Sequence, residues 1–263
     1  MVRLRALVQL AVISWFAMLA GSLLAGRQRR RAIAFSRLVN LSHIIHEAIP
    51  RWPGDPPIEF QVIADRSTAG YFLRRFGMGE HSATHMNASS SFVEGGQSID
   101  AYSPKSLIAP AVLIDILPKA SANPDYALTV DDILAWEAKH GQIPQDSLAL
   151  LFTGWQDRWS DPKAFLNLDS TGRPHFPGFS AEAARFLLDQ RGIAGLGTDT
   201  HGLEPGWDSS FAVNTLIAER NAIALECLTQ LDQLPPSGAT LVIGVLRLQN
   251  GSGSPVAVLA FLP

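Results

Sequence analysis

The chain has 263 residues, 47% hydrophobic and 17% charged, with a formal net charge of −3. That balance excludes a disordered polar chain, and the length supports one sizeable core. The acidic balance argues against a nucleic-acid-binding face, and a lone cysteine, Cys227, excludes an intramolecular disulfide and a multi-cysteine metal site.

Residues 6–26 carry no charge and are almost wholly apolar, with Arg3 and Arg5 before them and Arg27, Arg29, Arg30 and Arg31 after. A run of about 20 apolar residues is long enough to span a bilayer, and the same run fits the core of a long signal peptide. The expected organisation is therefore an anchor or signal segment at 1–26, a basic linker at 27–37 and a folded domain at 38–263. The protein is then membrane-anchored or exported, or cytoplasmic if the start codon is misassigned. Basic residues on both flanks leave the orientation open.

The predicted elements of the domain follow in order. Residues 111–116 read as a buried strand. Thr129 and Asp132 form a capping box that opens a helix, and Gly141 stops it. Residues 148–153 are a short apolar strand. Ser180 caps a helix over 181–191 that ends at Gly192, and residues 193–197 follow as a strand. Residues 223–228, 240–248 and 255–262 are three further strands; Cys227 lies in the first and reads as a buried small hydrophobe. Alternating helices and strands followed by crowded strands predict an α/β domain with a mixed or partly closed sheet. No dinucleotide fingerprint, Walker loop or nucleophile elbow is present.

The chemistry-bearing residues concentrate at Gly79-Glu-His81-Ser-Ala-Thr-His85-Met-Asn87-Ala-Ser-Ser-Ser91-Phe92. His81 and His85 can share one metal only if the backbone turns between them, because in a strand they stand about 13 Å apart. Glu226 lies in an apolar strand, where its charge needs a metal or an arginine, Arg220 or Arg247, beside it. Asp199 and His201 follow the strand at 193–197, where α/β domains bind ligands. Asp199 holds either a ligand or a turn. His43 and His46 read as structural.

Together with Asn40-Leu-Ser-His43, Trp52-Pro-Gly-Asp55, Thr153-Gly-Trp155, Gly197-Thr-Asp-Thr200, Leu225-Glu226 and Gly253-Ser-Pro255, this stretch resembles the cyclase superfamily. That superfamily includes bacterial kynurenine formamidases, isatin hydrolases and trans-dienelactone hydrolases. The resemblance covers residues 38–263. It implies an α/β/β layered domain with a barrel-like mixed sheet, usually a homo-oligomer.

The family's motif reads His-x-Gly-Thr-His-x-Asp-x-Pro-x-His. Its metal-binding histidines fall on His81 and His85, but its glycine is Ala83, its aspartate Asn87, and its final acid/base histidine Ser91. A later glutamate falls on Glu226, while its histidine partner falls on Asn214. The resemblance so implies one divalent ion, Mn2+ or Zn2+, held by His81, His85 and Glu226 with Asn87 or Asn214 assisting. Proton transfer falls to Glu226, to metal-bound hydroxide or to His201, with Ser91 in the site. Trp52, Phe92 and Trp155 are expected to flank an aromatic substrate. The expected function is metal-dependent hydrolysis of a small amide, formamide or lactone. The alternative is a pseudoenzyme that binds a small molecule or partner at the membrane.

Overall fold

Strand burial alternates between two cores, and this alternation builds the sheet. The computed structural model describes residues 32–263, with Phe35–Pro263 as one compact unit. The apolar run at 6–26 lies outside the described residues. Among the described residues no helix is long and apolar enough to cross a membrane.

The chain starts with β1 (Arg37–Asn40), then a hairpin of β2 (Glu59–Ala64) and β3 (Leu73–Gly77) with the short helix α1 (Arg66–Ala69) between them. Next come β4 (His85–Asn87), β5 (Ile108–Asp115), α2 (Leu117–Ala122), β6 (Ala127–Leu128), α3 (Val130–His140), β7 (Leu148–Phe152) and α4 (Pro162–Leu166). The chain continues through β8 (Gly178–Phe179), α5 (Ala181–Arg191), β9 (Gly195–Thr198), α6 (Ala212–Ala218) and β10 (Ile223–Glu226), and ends with β11 (Ala239–Val245) and β12 (Gly253–Leu262).

The large sheet runs β1-β12-β11-β5-β7-β9-β10-β4, and a further pairing of β4 with β12 closes seven of these strands into a barrel. Strands β5, β7, β9 and β10 are parallel, whereas β11, β12 and β4 pair antiparallel with their neighbours. This confirms the expected mixed, barrel-like sheet. Long β12 makes closure possible: residues 253–255 pair with β4, and residues 259–262 pair with β1.

Strand β7 is buried along its whole length, as parallel strands covered on both faces should be. Leu148, Leu150 and Phe152 point into the barrel, while Ala149 and Leu151 point out towards the helices. Each fully buried leucine contributes about 2 kcal/mol by leaving water. The outer layer docks through Ile133 and Trp136 of α3 and through Ala183, Ala184, Leu187 and Leu188 of α5. Both predicted helices have the predicted ends. Thr129 and Asp132 form the capping box, Ser180 accepts from Ala183 N–H, and Gly192 closes α5 in the left-handed region at φ 62°.

The expected strands differ from the observed ones mainly at their ends. The one predicted over 223–228 stops at Glu226, because Cys227 turns to φ 54°. Strands β2 to β4 are absent from the sequence reading. β4 has three residues, too few to show a period, and it persists because it pairs on both edges.

Candidate active site

The site grows from the face of the barrel opposite its interior. Met86 of β4 and Leu225 of β10 are cross-strand partners that point into the barrel core. The two-residue period therefore sends His85 and Asn87 outward. Opposite them in register stand Glu226 and Ala224. One ladder thus brings a histidine and a carboxylate together across 141 positions of sequence, with His85 Nε2 3.3 Å from Glu226 Oε2.

The turn that precedes β4 matters as much. Ala83 takes the left-handed conformation at φ 57°, a position suited to glycine. Its carbonyl accepts the Nδ1–H of His85 at 2.9 Å, which orients the ring so that Nε2 faces Glu226. The same turn returns His81 to the site, so that the two imidazole rings lie 5.5 Å apart at 89°. Gly253 makes room for the His81 ring: a Cβ there would lie 2.6 Å from His81 Cε1.

A network of amides surrounds Glu226. Asn87 Nδ2 donates to Glu226 Oε1 at 2.9 Å and to Asn214 Oδ1 at 3.1 Å. Asn214 Nδ2 donates to Glu204 Oε1 at 3.2 Å and reaches Glu226 Oε1 at 3.4 Å. Asn87 Oδ1 accepts from His81 Nδ1 at 2.7 Å. Asn214 thus bridges two carboxylates, and its Oδ1 is taken up by Asn87. Neither candidate arginine serves Glu226: Arg220 pairs with Asp189, and Arg247 donates to the Asp100 carbonyl.

These contacts set the charges. Burial opposes the charged form of His85, but the hydrogen bond and charge of Glu226 outweigh it and raise the histidine. Glu226 is lowered in turn, because His85 overcomes its burial. Burial, then the nearby His85, pulls His201 down to about 4, so its ring is neutral; its buried Nδ1 has no partner among the described residues. This corrects the expectation that His201 takes over acid/base duty, since an imidazole that holds its proton so weakly is a poor base at neutral pH.

Among the described residues, no three His, Cys, Asp or Glu side chains stand preassembled as a metal shell. The donor chemistry nonetheless suits one cation. His85 Nε2 and Glu226 Oε2 face each other at a separation that two ligands of one ion adopt, since each bond is about 2.0–2.2 Å. His81 and Asn87 can join once their mutual hydrogen bond opens.

A cavity of about 220 Å³ lies over this floor. Ser91 and Phe92 line it as expected, as does Trp52, whose ring is 5.3 Å from that of His201. Trp155 does not line the cavity. It is buried beneath the wall, donating from Nε1 to the Phe165 carbonyl at 2.7 Å, with Phe176 6.5 Å above it. Asp199 plays the turn-holding part: it accepts from Thr153 N–H and Oγ1 and from Gln156 N–H. His43 stacks on Trp159 at 3.9 Å, as a structural histidine does, while His46 is exposed. Sequence reasoning missed Asp55, Phe176, Glu204 and Phe211, all of which line the cavity from loops or loop ends. The only sequence signal for Glu204 is its place in the Gly-rich segment after β9.

The fold and site define a hydrolase scaffold, and comparison with known proteins places it. The chain belongs to the Cyclase family, whose profile matches residues 39–205, and it is a hydrolase of that family. It is 36% identical to the isatin hydrolase of Roseibium aggregatum over 218 residues, covering 79% of this chain and 82% of that protein. The structure of isatin hydrolase A from Ralstonia solanacearum superposes with a TM-score of 0.83 at 32% identity, covering 94% of this chain and 97% of that one. The kynurenine formamidase of Geobacillus thermodenitrificans is 24% identical over 220 residues, covering 83% of this chain and 94% of that protein.

Proposed function

We propose that this hydrolase cleaves an amide, formamide or lactone carried on an aromatic ring. It uses one divalent cation, Mn2+ or Zn2+, held by His81, His85 and Glu226 and assisted by Asn87. The observation that carries this reading is the His85–Glu226 pair at the floor of a cavity lined by Trp52, Phe92, Phe176 and Phe211. The names of the relatives, isatin hydrolase and kynurenine formamidase, support an amide of an aromatic amine.

When bound, such a cation supplies Lewis acidity to a carbonyl and a lowered pKa to water. The chain's own residues do the rest. Ala83 orients the His85 ring, and Glu226 balances charge in a buried place. The aromatic walls exclude bulk water and grip the substrate's ring. Ser91 and the neutral His201 offer hydrogen bonds to a developing oxyanion. The proposal extends to a homo-oligomer, supported by the exposed Val62, Phe72, Leu73 and Phe76 of the β2–β3 hairpin. It also extends to membrane anchoring or export through residues 1–26, supported by their composition.

The test is metal content and turnover of the purified protein. Mass spectrometry should find about one ion per chain, lost in His81→Ala. Chelation should lower hydrolysis of aryl amides and lactones at least roughly 100-fold, and the added ion should restore it. Tight binding of the same compounds, without turnover at any metal supplement, would favour the binding-protein alternative.

A further inference from the structure

A substrate must satisfy the cavity's polar groups as well as fill its space. Among the described residues, those that line the cavity include four carboxylates, Asp55, Glu204, Asp208 and Glu226, and no lysine or arginine. Glu226 is the more engaged: Oε1 takes two amide donors and Oε2 faces His85. Among the described residues the only hydrogen-bond partner of Glu204 is Asn214, whose main-chain N–H lies 3.1 Å from Oε2 and whose Nδ2 lies 3.2 Å from Oε1. A carboxylate offers about four acceptor positions, so about two remain.

Glu204 meets little bulk solvent. It is 4% exposed, and its loop is fixed to the wall. Phe179 N–H donates to the Leu203 carbonyl at 2.7 Å, and Gly206 N–H donates to the Phe176 carbonyl at 2.9 Å. Gly178 lies so close beneath that a Cβ there would be 2.3 Å from the Glu204 carbonyl carbon. Among the described residues, its polar neighbours are the neutral Asn214 of α6 and, across Asn214, the carboxylate of Glu226 of β10. A buried acceptor with open capacity on a cavity wall favours a ligand that donates.

We propose that Glu204 is a specificity-determining residue that accepts the N–H of the bound substrate. It thereby selects secondary amides of aromatic amines over their N-methyl and ester or lactone counterparts. The inference rests on the hydrolase reading above and narrows its substrate class. A site that hydrogen-bonds a substrate N–H discriminates strongly against analogues that leave its polar group unpaired, by as much as roughly 10⁴-fold.

The experiment compares kcat/KM for three matched aryl substrates: an N–H lactam or anilide, its N-methyl form, and the ester or lactone with oxygen in place of N–H. Each value is divided by the substrate's uncatalysed alkaline hydrolysis rate. The wild-type protein should favour the N–H substrate by roughly 100-fold. Glu204→Gln is close in size but presents an amide donor of its own, and should shrink that ratio at least roughly 10-fold. The ratio is the readout, because a merely structural defect lowers all three rates together. Glu204→Asp keeps the acceptor and should restore part of the preference. Wild-type turnover with less than about 3-fold preference overturns the assignment even if no variant folds, as does a ratio unchanged in a folded Glu204→Gln. No turnover of any of the three overturns the hydrolase reading and this assignment with it.

Discussion

The floor and the walls of the cavity are built by different physics. The floor is a strand ladder: His85 faces Glu226 because β4 and β10 pair in one register, and a slip by one residue would turn His85 inward. The walls are loops held by single hydrogen bonds and close backbone contacts, which place Trp52, Phe176, Glu204 and Phe211. Barrel closure therefore positions the candidate metal-binding groups, and tertiary packing of the loops shapes the space above them. Such a division lets one scaffold keep its chemistry while its substrates vary.

Three measurements can break or sharpen this comparison. The largest effect is expected at Gly178, where an alanine Cβ would meet the main chain of Leu203, Glu204 and Pro205. Gly178→Ala should destabilise the protein by about 3 kcal/mol in denaturant titration. It should lower kcat/KM while metal content stays near that of the wild type. Loss of the ion together with the wall would show that floor and walls are not separable.

Next in size is Asp199, at the junction of the two regions. Burial outweighs its hydrogen bonds from Thr153 and Gln156 and raises it to about 6. A raised carboxyl favours folding while it is protonated, so this contribution is complete below the unfolded value of about 4 and fades as pH rises through about 6. Asp199→Asn should remove the corresponding fall in stability between about pH 4 and 6, of the order of 2 kcal/mol. Identical pH–stability curves for the two proteins would contradict this account.

The smallest effect lies in the floor itself. Ala83→Gly should relieve the left-handed strain at φ 57° and raise stability by about 0.5–1 kcal/mol, with thermal melting as the readout. A loss of stability would mean that the methyl group's packing with Ile49 and Ile58 outweighs the strain.

Local signals made part of this molecule legible in its sequence. The helices at 130–140 and 181–191 announce themselves through Thr129, Asp132, Ser180 and Gly192, which act on backbone groups within a few residues. Strands β5, β7 and β10 to β12 announce themselves by apolar runs. Of the floor, His81, His85 and Glu226 were legible: two histidines at short spacing, and a carboxylate in an apolar strand that needs compensation. The choice of compensating group was not legible, because a metal, Arg220 and Arg247 are equally compatible with the sequence.

Only the tertiary structure decided the rest. It formed β4 by pairing it on both edges, removed Trp155 from the cavity, made Asn214 a bridge, and buried Glu204 beside Glu226. None of these follows from period or spacing, because each depends on contacts between segments far apart in the chain. The sequence by itself determined which groups are available for the chemistry, since side-chain type and local backbone preference are properties of each residue. Their facing directions, their partners and their charges belong to the closed barrel and its loops, where burial and neighbours set the energy of every polar atom.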